Sequence, residues 1–89
     1  IIQGKGGHGA SPHLTVDPVV LAAHIVVALQ TLVSREIDPI DPAVVTVGKI
    51  SAGEANNVIP DTAEIRGTVR TFSDHNRQML ATRIQEIIN

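Results

Sequence analysis

The sequence contains no cysteine, tryptophan or tyrosine, and Phe72 is its single phenylalanine. Without cysteine the chain has neither a disulfide framework nor thiolate chemistry, which fits a reducing compartment and leads us to expect a cytoplasmic protein. A sheet face without exposed aromatic side chains has nothing on which RNA bases could stack. Seven basic and nine acidic residues, with the two signs interspersed, give a net charge of −2. This balance offers no electrostatic attraction for nucleic acid or anionic lipid, so neither is an expected partner.

A long apolar run is also missing. The longest nearly apolar stretch, Val19 to Leu29, is interrupted by His24 and is shorter than the roughly 20 residues of a membrane-spanning helix. No signal peptide is visible, and a sequence that opens Ile1-Ile2-Gln3 without methionine is expected to be an internal fragment. Its 89 residues, 43% of them hydrophobic, are expected to form one domain (1–89) with a core of Val, Ile, Leu and Ala.

The order of helix and strand signals predicts the elements β-α-β-β-α. In chain order they are a strand over residues 1–5, a helix from Pro18 to near Arg35, strands over 43–50 and 58–72, and a helix after Ser73. Asp17 can cap the first helix, and Pro18 fits its first position because no intrahelical N–H is needed there. Apolar and polar residues alternate over 58–72, which indicates a strand with one buried face. This is the order of a split β-α-β-β-α-β sandwich without its last strand.

The first helix carries more apolar surface than one contact with a sheet requires. Its polar residues, His24, Thr31 and Arg35, fall on one narrow stripe at helical spacing. We infer that a second partner covers part of the remaining apolar surface.

The glycine-rich segment over residues 4–13 (GKGGHGASPH) is the most distinctive part of the chain. Glycines at this density allow positive φ angles and a close approach to another molecule, and His8 on such a turn can donate a hydrogen bond or a proton. Gly4 to Gly9 also matches G-x-G-x-x-G. Nucleotide binding is nevertheless disfavoured, because Pro12 intervenes and the helix starts only near Pro18. The alternative that the glycines only turn the chain remains open.

The four histidines do not form an obvious metal site. His8 and His13 are close enough in sequence to be two ligands, but a site needs three or four, and Asp17 is the only nearby acid. We therefore predict no metal site within this chain. For His13, His24 and His75 we favour structural roles.

Asn57 and Arg70 each have a structural and a functional explanation. Asn57 precedes Val58-Ile59-Pro60, where an asparagine either caps the turn through its own backbone or presents its carboxamide to a ligand. Arg70 lies with Arg66 on the polar side of its strand, where solvent is the default neighbour. An arginine is also the natural partner of a carboxylate, which its planar guanidinium binds in bidentate fashion.

Two motifs, GKGGHGASPHLTVDP at 4–18 and SAGEANNVIPDTAEIRGTVRTF at 51–72, carry a resemblance to a known family. They resemble the lid (dimerisation) domain of zinc-dependent amidohydrolases of the aminoacylase and carboxypeptidase G type, especially the hippurate hydrolase and indole-acetyl-amino-acid hydrolase subgroup. The resemblance covers essentially the whole chain. It implies an α+β, ferredoxin-like two-layer sandwich: an antiparallel sheet of strand order 4-1-3-2 with two helices on one face. The last family strand is missing here, which would leave the first strand as an exposed edge.

The resemblance also implies roles for individual residues. The motif histidine corresponds to His8, which would cross the dimer and bind the scissile carbonyl oxygen as it becomes an oxyanion in the partner's active site. The asparagine before Val-Ile-Pro corresponds to Asn57, a substrate contact in its own subunit. The family arginine corresponds to Arg70, which would hold the substrate's terminal carboxylate. Gly6 and Gly7 would let the histidine loop approach the partner chain and the substrate.

The function implied is that of a hydrolase that cleaves the amide bond of N-acyl amino acids or related amides. This chain would be one domain of a larger two-domain enzyme, with two divalent metal ions, expected to be zinc, in a catalytic domain outside these residues. A homodimer through the first helix and an edge strand is expected, and the fragment alone should be inactive. The alternative from a different class is a stand-alone small-ligand-binding or regulatory dimerisation module.

Overall fold

In the computed structural model, which describes residues 1–88, two helices cover one face of a three-stranded antiparallel sheet. The helices are α1 (Pro18–Thr31), which continues as a π-helical turn (Leu32–Glu36), and α2 (Asp74–Ile88). The strands are β1 (Ile2–Gln3), β2 (Gly7–His8), β3 (Ala43–Ala52), β4 (Val58–Ile59) and β5 (Thr62–Thr71). A 3-10 turn (Pro12–Leu14) precedes α1. The predicted α+β sandwich class is confirmed.

The main sheet has the strand order β1-β5-β3, which is the order predicted for the first three strands of the sandwich. β3 and β5 are each ten residues long and pair antiparallel from end to end, with a bulge at Gly48. β1 pairs with β5 only at Ile2 and Gln3. Within residues 1–88, β1 and β3 are therefore the two edge strands.

The segment over residues 58–72, predicted as one strand, is divided in the structure. β4 pairs with β2 in a separate two-stranded sheet, whereas β5 belongs to the main sheet. The division falls at Pro60 and Asp61. Proline has no N–H for a ladder hydrogen bond and is disfavoured inside a central strand, which explains why the pairing changes partners there. This break takes the β2–β4 pair out of the main sheet.

The core lies between the helices and the sheet and is aliphatic, as the composition predicted. Its buried members are Ile25, Leu29, Leu32, Ile37, Ala43 and Leu80, with Ala22 and Ala63 also buried. Asp17 caps α1 as predicted, because its Oδ1 accepts a 2.9 Å hydrogen bond from Val19 N. Ser73 likewise caps α2, since its Oγ accepts from Asn76 N at 3.1 Å. These caps fix where both helices begin on the sheet.

The helical segment Pro18–Glu36 is longer than the nearly apolar stretch Val19 to Leu29. An 18-residue window of this 19-residue helix has a mean hydropathy of 1.6, so length and composition alone would allow it to cross a membrane. Its buried residues, however, pack against the sheet of the same domain. The core helix of a soluble protein can pass the same test, so length and composition do not by themselves identify a membrane span.

Candidate functional site

The two motifs singled out in the sequence meet in the β2–β4 ribbon, which we define as residues 7–9 and 57–59. Gly7 pairs with Ile59 and His8 pairs with Val58. The ribbon continues one step further, because Gly9 N donates a 2.7 Å hydrogen bond to the carbonyl oxygen of Asn57. The structure therefore brings His8 and Asn57, which are far apart in the sequence, onto one short two-stranded element.

The His8 ring is exposed, and its protonation pattern is defined by one hydrogen bond. Ala10 N donates to Nδ1 of His8 at 3.0 Å, so Nδ1 must carry a lone pair. In the neutral ring the proton is then on Nε2. The backbone of the glycine-rich segment thus selects the tautomer in which Nε2–H is the donor, which is what binding to a carbonyl oxygen or an oxyanion requires.

The glycines of this segment serve close packing rather than positive φ angles. Gly53 is the only glycine of the described residues with a positive φ, 80°. A Cβ on Gly6 would lie 2.3 Å from the carbonyl oxygen of Ile59, and one on Gly7 would lie 2.8 Å from Cγ2 of Thr15. The sequence expectation of positive φ angles is therefore wrong here. The close contacts of these glycines lie within this chain, and the expected approach to another molecule remains a prediction. A role of Gly6 and Gly7 in binding substrate remains a prediction.

Arg70 lies at the opposite end of the sheet from the ribbon. It is exposed on β5 opposite Val44, on the face that the helices leave open. The ten residues of β5 at about 3.3 Å each place the two ends of this strand roughly 30 Å apart. Arg70 forms no ion pair among residues 1–88. One copy of the domain therefore does not bring Arg70 together with His8 and Asn57.

The open face of the sheet carries a charged pair on β5. Arg66 donates a hydrogen bond to Glu64, and this bond, together with the charge of Arg66, lowers the pKa of Glu64. Lys49, which pairs opposite Arg66 on β3, lowers this pKa further. Glu64 also lines a cleft that Val58 of the ribbon borders, so this pair lies between the open face of the sheet and the ribbon.

No three of the histidine, aspartate and glutamate side chains in residues 1–88 lie close enough together to hold a metal ion. His13 lies in the 3-10 turn, His24 in α1 and His75 in α2. The donors described here do not fit a metal centre.

A feature that the sequence did not predict is an open cleft of about 650 Å³ beside the ribbon. Its walls come from the end of β3 and the loop after it (residues 51–55), from the crossing at Pro60 and Asp61, and from the start of β5, including Glu64. Asp61 in addition accepts a hydrogen bond from Gly6 N at 2.8 Å. The sequence signal for this crossing was the proline itself, which marks a change of partner in an otherwise continuous strand.

Comparison with known proteins identifies relatives over the whole chain. Residues 1–89 match the profile described as peptidase dimerisation domain (M20_dimer). N-acetyldiaminopimelate deacetylase from Leuconostoc mesenteroides is 49% identical over 87 residues, covering 98% of this chain and 23% of the relative. IAA-amino acid hydrolase ILR1-like 2 from Arabidopsis thaliana is 53% identical over 88 residues, covering 99% of this chain and 20% of the relative. The chain thus spans between a fifth and a quarter of these curated relatives.

Solved structures show the same fold. A putative aminohydrolase from methicillin-resistant Staphylococcus aureus superposes with a TM-score of 0.92 at 42% identity, covering 97% of this chain and 22% of that chain. The crystal structure of AtUAH in complex with (S)-hydroxyglycine has a TM-score of 0.86 at 27% identity, covering 99% of this chain and 21% of that chain. In both structures the matched region is again about a fifth of a longer protein.

Proposed function

We propose that this chain, which belongs to the peptidase dimerisation domain (M20) family, is the lid of an amidohydrolase that cleaves N-acyl amino acids or related amides. The names of the relatives, a deacetylase of N-acetyldiaminopimelate and a hydrolase of IAA-amino acids, support this substrate class. Enzymes of this family are metal-dependent. Since residues 1–88 offer no metal centre, we assign two metal ions, expected to be zinc, to a catalytic domain outside this chain. The alternative of a stand-alone regulatory module loses support, because the matched relatives are hydrolases of which the domain is about a fifth.

His8 is the catalytic residue of this proposal. The hydrogen bond from Ala10 N leaves the proton on Nε2, so the neutral ring can donate to the oxygen of the scissile carbonyl. That oxygen gains negative charge in the transition state, and the hydrogen bond strengthens as it does so. Removing one such donor in other hydrolases costs about 3–4 kcal/mol of transition-state stabilisation, or a factor of ~10²–10³ in kcat.

The ribbon changes the assignment of Asn57. The resemblance implied that His8 crosses to the partner while Asn57 serves its own subunit. Because the Gly9–Asn57 hydrogen bond joins the backbones of the two segments in one element, we infer that a ribbon that carries His8 to the partner's active site brings Asn57 close to it as well. Arg70, roughly 30 Å away along β5, then serves the active site of its own subunit. Each active site would combine His8 and Asn57 from one protomer with Arg70 from the other.

The dimer surface is proposed to be the exposed stripe of α1 with the free edge of β3. On α1 the apolar side chains of Val20 and Val27 are 53% and 66% exposed. β3 packs under α1 and is an edge of the described sheet, so two copies could pair their β3 edges about a twofold axis and continue the sheet. Burial of this surface in a dimer would account for the excess of apolar area on the first helix. The proposal includes neither nucleic acid nor membrane as a partner, and it places the enzyme in the cytoplasm.

Subunit complementation tests this proposal in the full-length enzyme. His8→Ala and Arg70→Ala homodimers should both have low activity toward N-acetyl amino acids and indole-acetyl amino acids. Exchange of subunits should restore activity, because one of the two sites in each mixed dimer combines an intact ribbon with an intact Arg70. Half of the dimers are mixed at equal proportions, so about a quarter of the wild-type activity should return. The absence of any recovery, despite verified mixed dimers, would contradict composite active sites.

A further inference from the structure

Asp61 lies where the chain crosses from the β2–β4 ribbon into the main sheet, and it binds the glycine-rich segment at two points. Its backbone carbonyl oxygen accepts a 2.7 Å hydrogen bond from Gly4 N. Its side-chain Oδ1 accepts a 2.8 Å hydrogen bond from Gly6 N. These two amide groups lie on either side of Lys5, so a single residue holds both ends of the turn that leads to His8.

The side chain of Asp61 provides a hydrogen bond where the pairing between strands is interrupted. Regular pairing ends at Gln3 with Thr62 in the main sheet and begins again at Gly7 with Ile59 in the ribbon. Between these pairs, residues 4–6 lie opposite residues 60–61, and Pro60 has no N–H to donate. In this interval the amide of Gly6 has no ladder partner, and it donates instead to the Asp61 carboxylate.

The crossing leaves little room for an alternative arrangement. A Cβ on Gly6 would lie 2.9 Å from the carbonyl carbon of Pro60 and 3.0 Å from Oδ1 of Asp61, besides its clash with Ile59. The far side of the turn is also held, because Lys5 N donates to Val16 O at 2.8 Å and Val16 N donates to Lys5 O at 2.9 Å. With one side of the turn fixed by Val16, the Asp61 carboxylate determines the position of the other side, from which His8 extends.

We infer that Asp61 is a positioning residue, whose carboxylate sets the direction in which the β2–β4 ribbon leaves the sheet and so the location of the His8 ring. This inference rests on the proposed role of His8 as an oxyanion donor. Misplacement of a reacting group by about 1 Å can cost on the order of 10²-fold in rate. Asp61 does not touch the substrate in this assignment, and its effect on the rate passes through the position of His8.

The test compares Asp61→Ala, Asp61→Asn and the matched control Asp38→Ala in the full-length enzyme, with an N-acetyl amino acid as substrate. The Asp38 carboxylate makes the same type of bond, accepting from Ile40 N at 2.9 Å, but in the loop that leads to β3. We expect Asp61→Ala to lower kcat at least about tenfold, with a smaller change in KM. Asp61→Asn should stay within about threefold of wild type, because its amide oxygen still accepts from Gly6 N. Asp38→Ala should leave kcat unchanged.

A double-mutant cycle with His8→Ala separates positioning from general destabilisation. If Asp61 acts through the ribbon, adding Asp61→Ala to His8→Ala should lower kcat by less than about twofold more. Independent, multiplicative losses would overturn the inference while leaving the role of His8 intact, whereas a fully active His8→Ala enzyme would overturn both. If Asp61→Ala does not fold, Asp61→Ser, whose shorter side chain cannot reach Gly6 N in the same way, takes its place in the cycle.

Discussion

The backbone N–H of Gly9 lies 2.7 Å from the carbonyl oxygen of Asn57, and this hydrogen bond joins two functional motifs that the sequence separates. The backbones of residues 7–9 and 57–59 are therefore positioned together. Under the proposed function, a substrate contact by Asn57 and an oxyanion contact by His8 are expected in the same active site. Which protomer supplies His8 and which supplies Asn57 to a given active site can therefore be tested.

Mixing His8→Ala with Asn57→Ala subunits distinguishes the two possible origins of Asn57. If both groups belong to one ribbon, every site in a mixed dimer receives a ribbon with one defect, and no activity should return. If Asn57 served its own subunit, one site of each mixed dimer would be intact, and about a quarter of wild-type activity would return. The measurement is the steady-state rate after subunit exchange, with the His8→Ala and Arg70→Ala mixture as the positive control.

Much of the fold followed from local patterns, whereas the site did not. The Asp17-Pro18 signal, the alternation on β5 and the Ser73 cap all depend on near neighbours, which is why the sequence predicted them. The pairing of His8 with Val58 is a contact between distant parts of the chain and leaves no periodic signal. The break at Pro60 could have been predicted, because proline is disfavoured inside a paired central strand. The position that Asp61 takes as a result could not have been predicted.

Breaking the proposed dimer surface should abolish activity without unfolding the domain. Val27→Glu places a charge on a side chain that is 66% exposed, so the isolated fold should tolerate it. In the dimer the charge would be desolvated, and a monomer would lose the partner's His8. We expect monomers in analytical ultracentrifugation and a loss of activity of about 10²-fold or more. Ile40→Glu, at a position that is 92% exposed in a loop, is the matched control and should remain dimeric and active.

The buried amide of Asn76 should stabilise the start of α2. Asn76 is 3% exposed, and its Nδ2 donates a 2.6 Å hydrogen bond to the carbonyl oxygen of Asp41. Asn76→Ala should lower the free energy of unfolding by about 1–3 kcal/mol, because the carbonyl loses its partner in a part-buried position. Gln78→Ala, an exposed position on the same helix, should change it by less than about 0.5 kcal/mol. Equal effects in chemical denaturation would contradict a specific role of the Asn76 bond.

Acid should weaken the fold through Glu64. Arg66 lowers the pKa of Glu64 below its ordinary value near 4.5, so the folded state binds this proton less readily than the unfolded state does. The resulting stabilisation is complete above that ordinary value and is lost as pH falls through the lowered pKa of the folded state. Thermal unfolding from pH 7 to pH 3 should therefore show a smaller difference between wild type and Glu64→Gln at the acid end. Glu54→Gln, in the exposed loop before Asn57, serves as the control, and a constant difference at all pH values would count against the Glu64–Arg66 pair.

Two glycines of the fold should respond differently to an added methyl group. In Gly6→Ala the new Cβ would lie 2.3 Å from the carbonyl oxygen of Ile59, so the β2–β4 ribbon must open or shift. Because His8 depends on that ribbon, we expect kcat of the full-length enzyme to fall by about 10²-fold or more.

In Gly48→Ala the Cβ meets nothing within 4 Å, and the bulge residue does not have a positive φ. This variant should keep its activity and unfold within about 1 kcal/mol of wild type, since the methyl also restricts the unfolded chain. An active Gly6→Ala enzyme would show that the close packing of the ribbon does not control the position of His8.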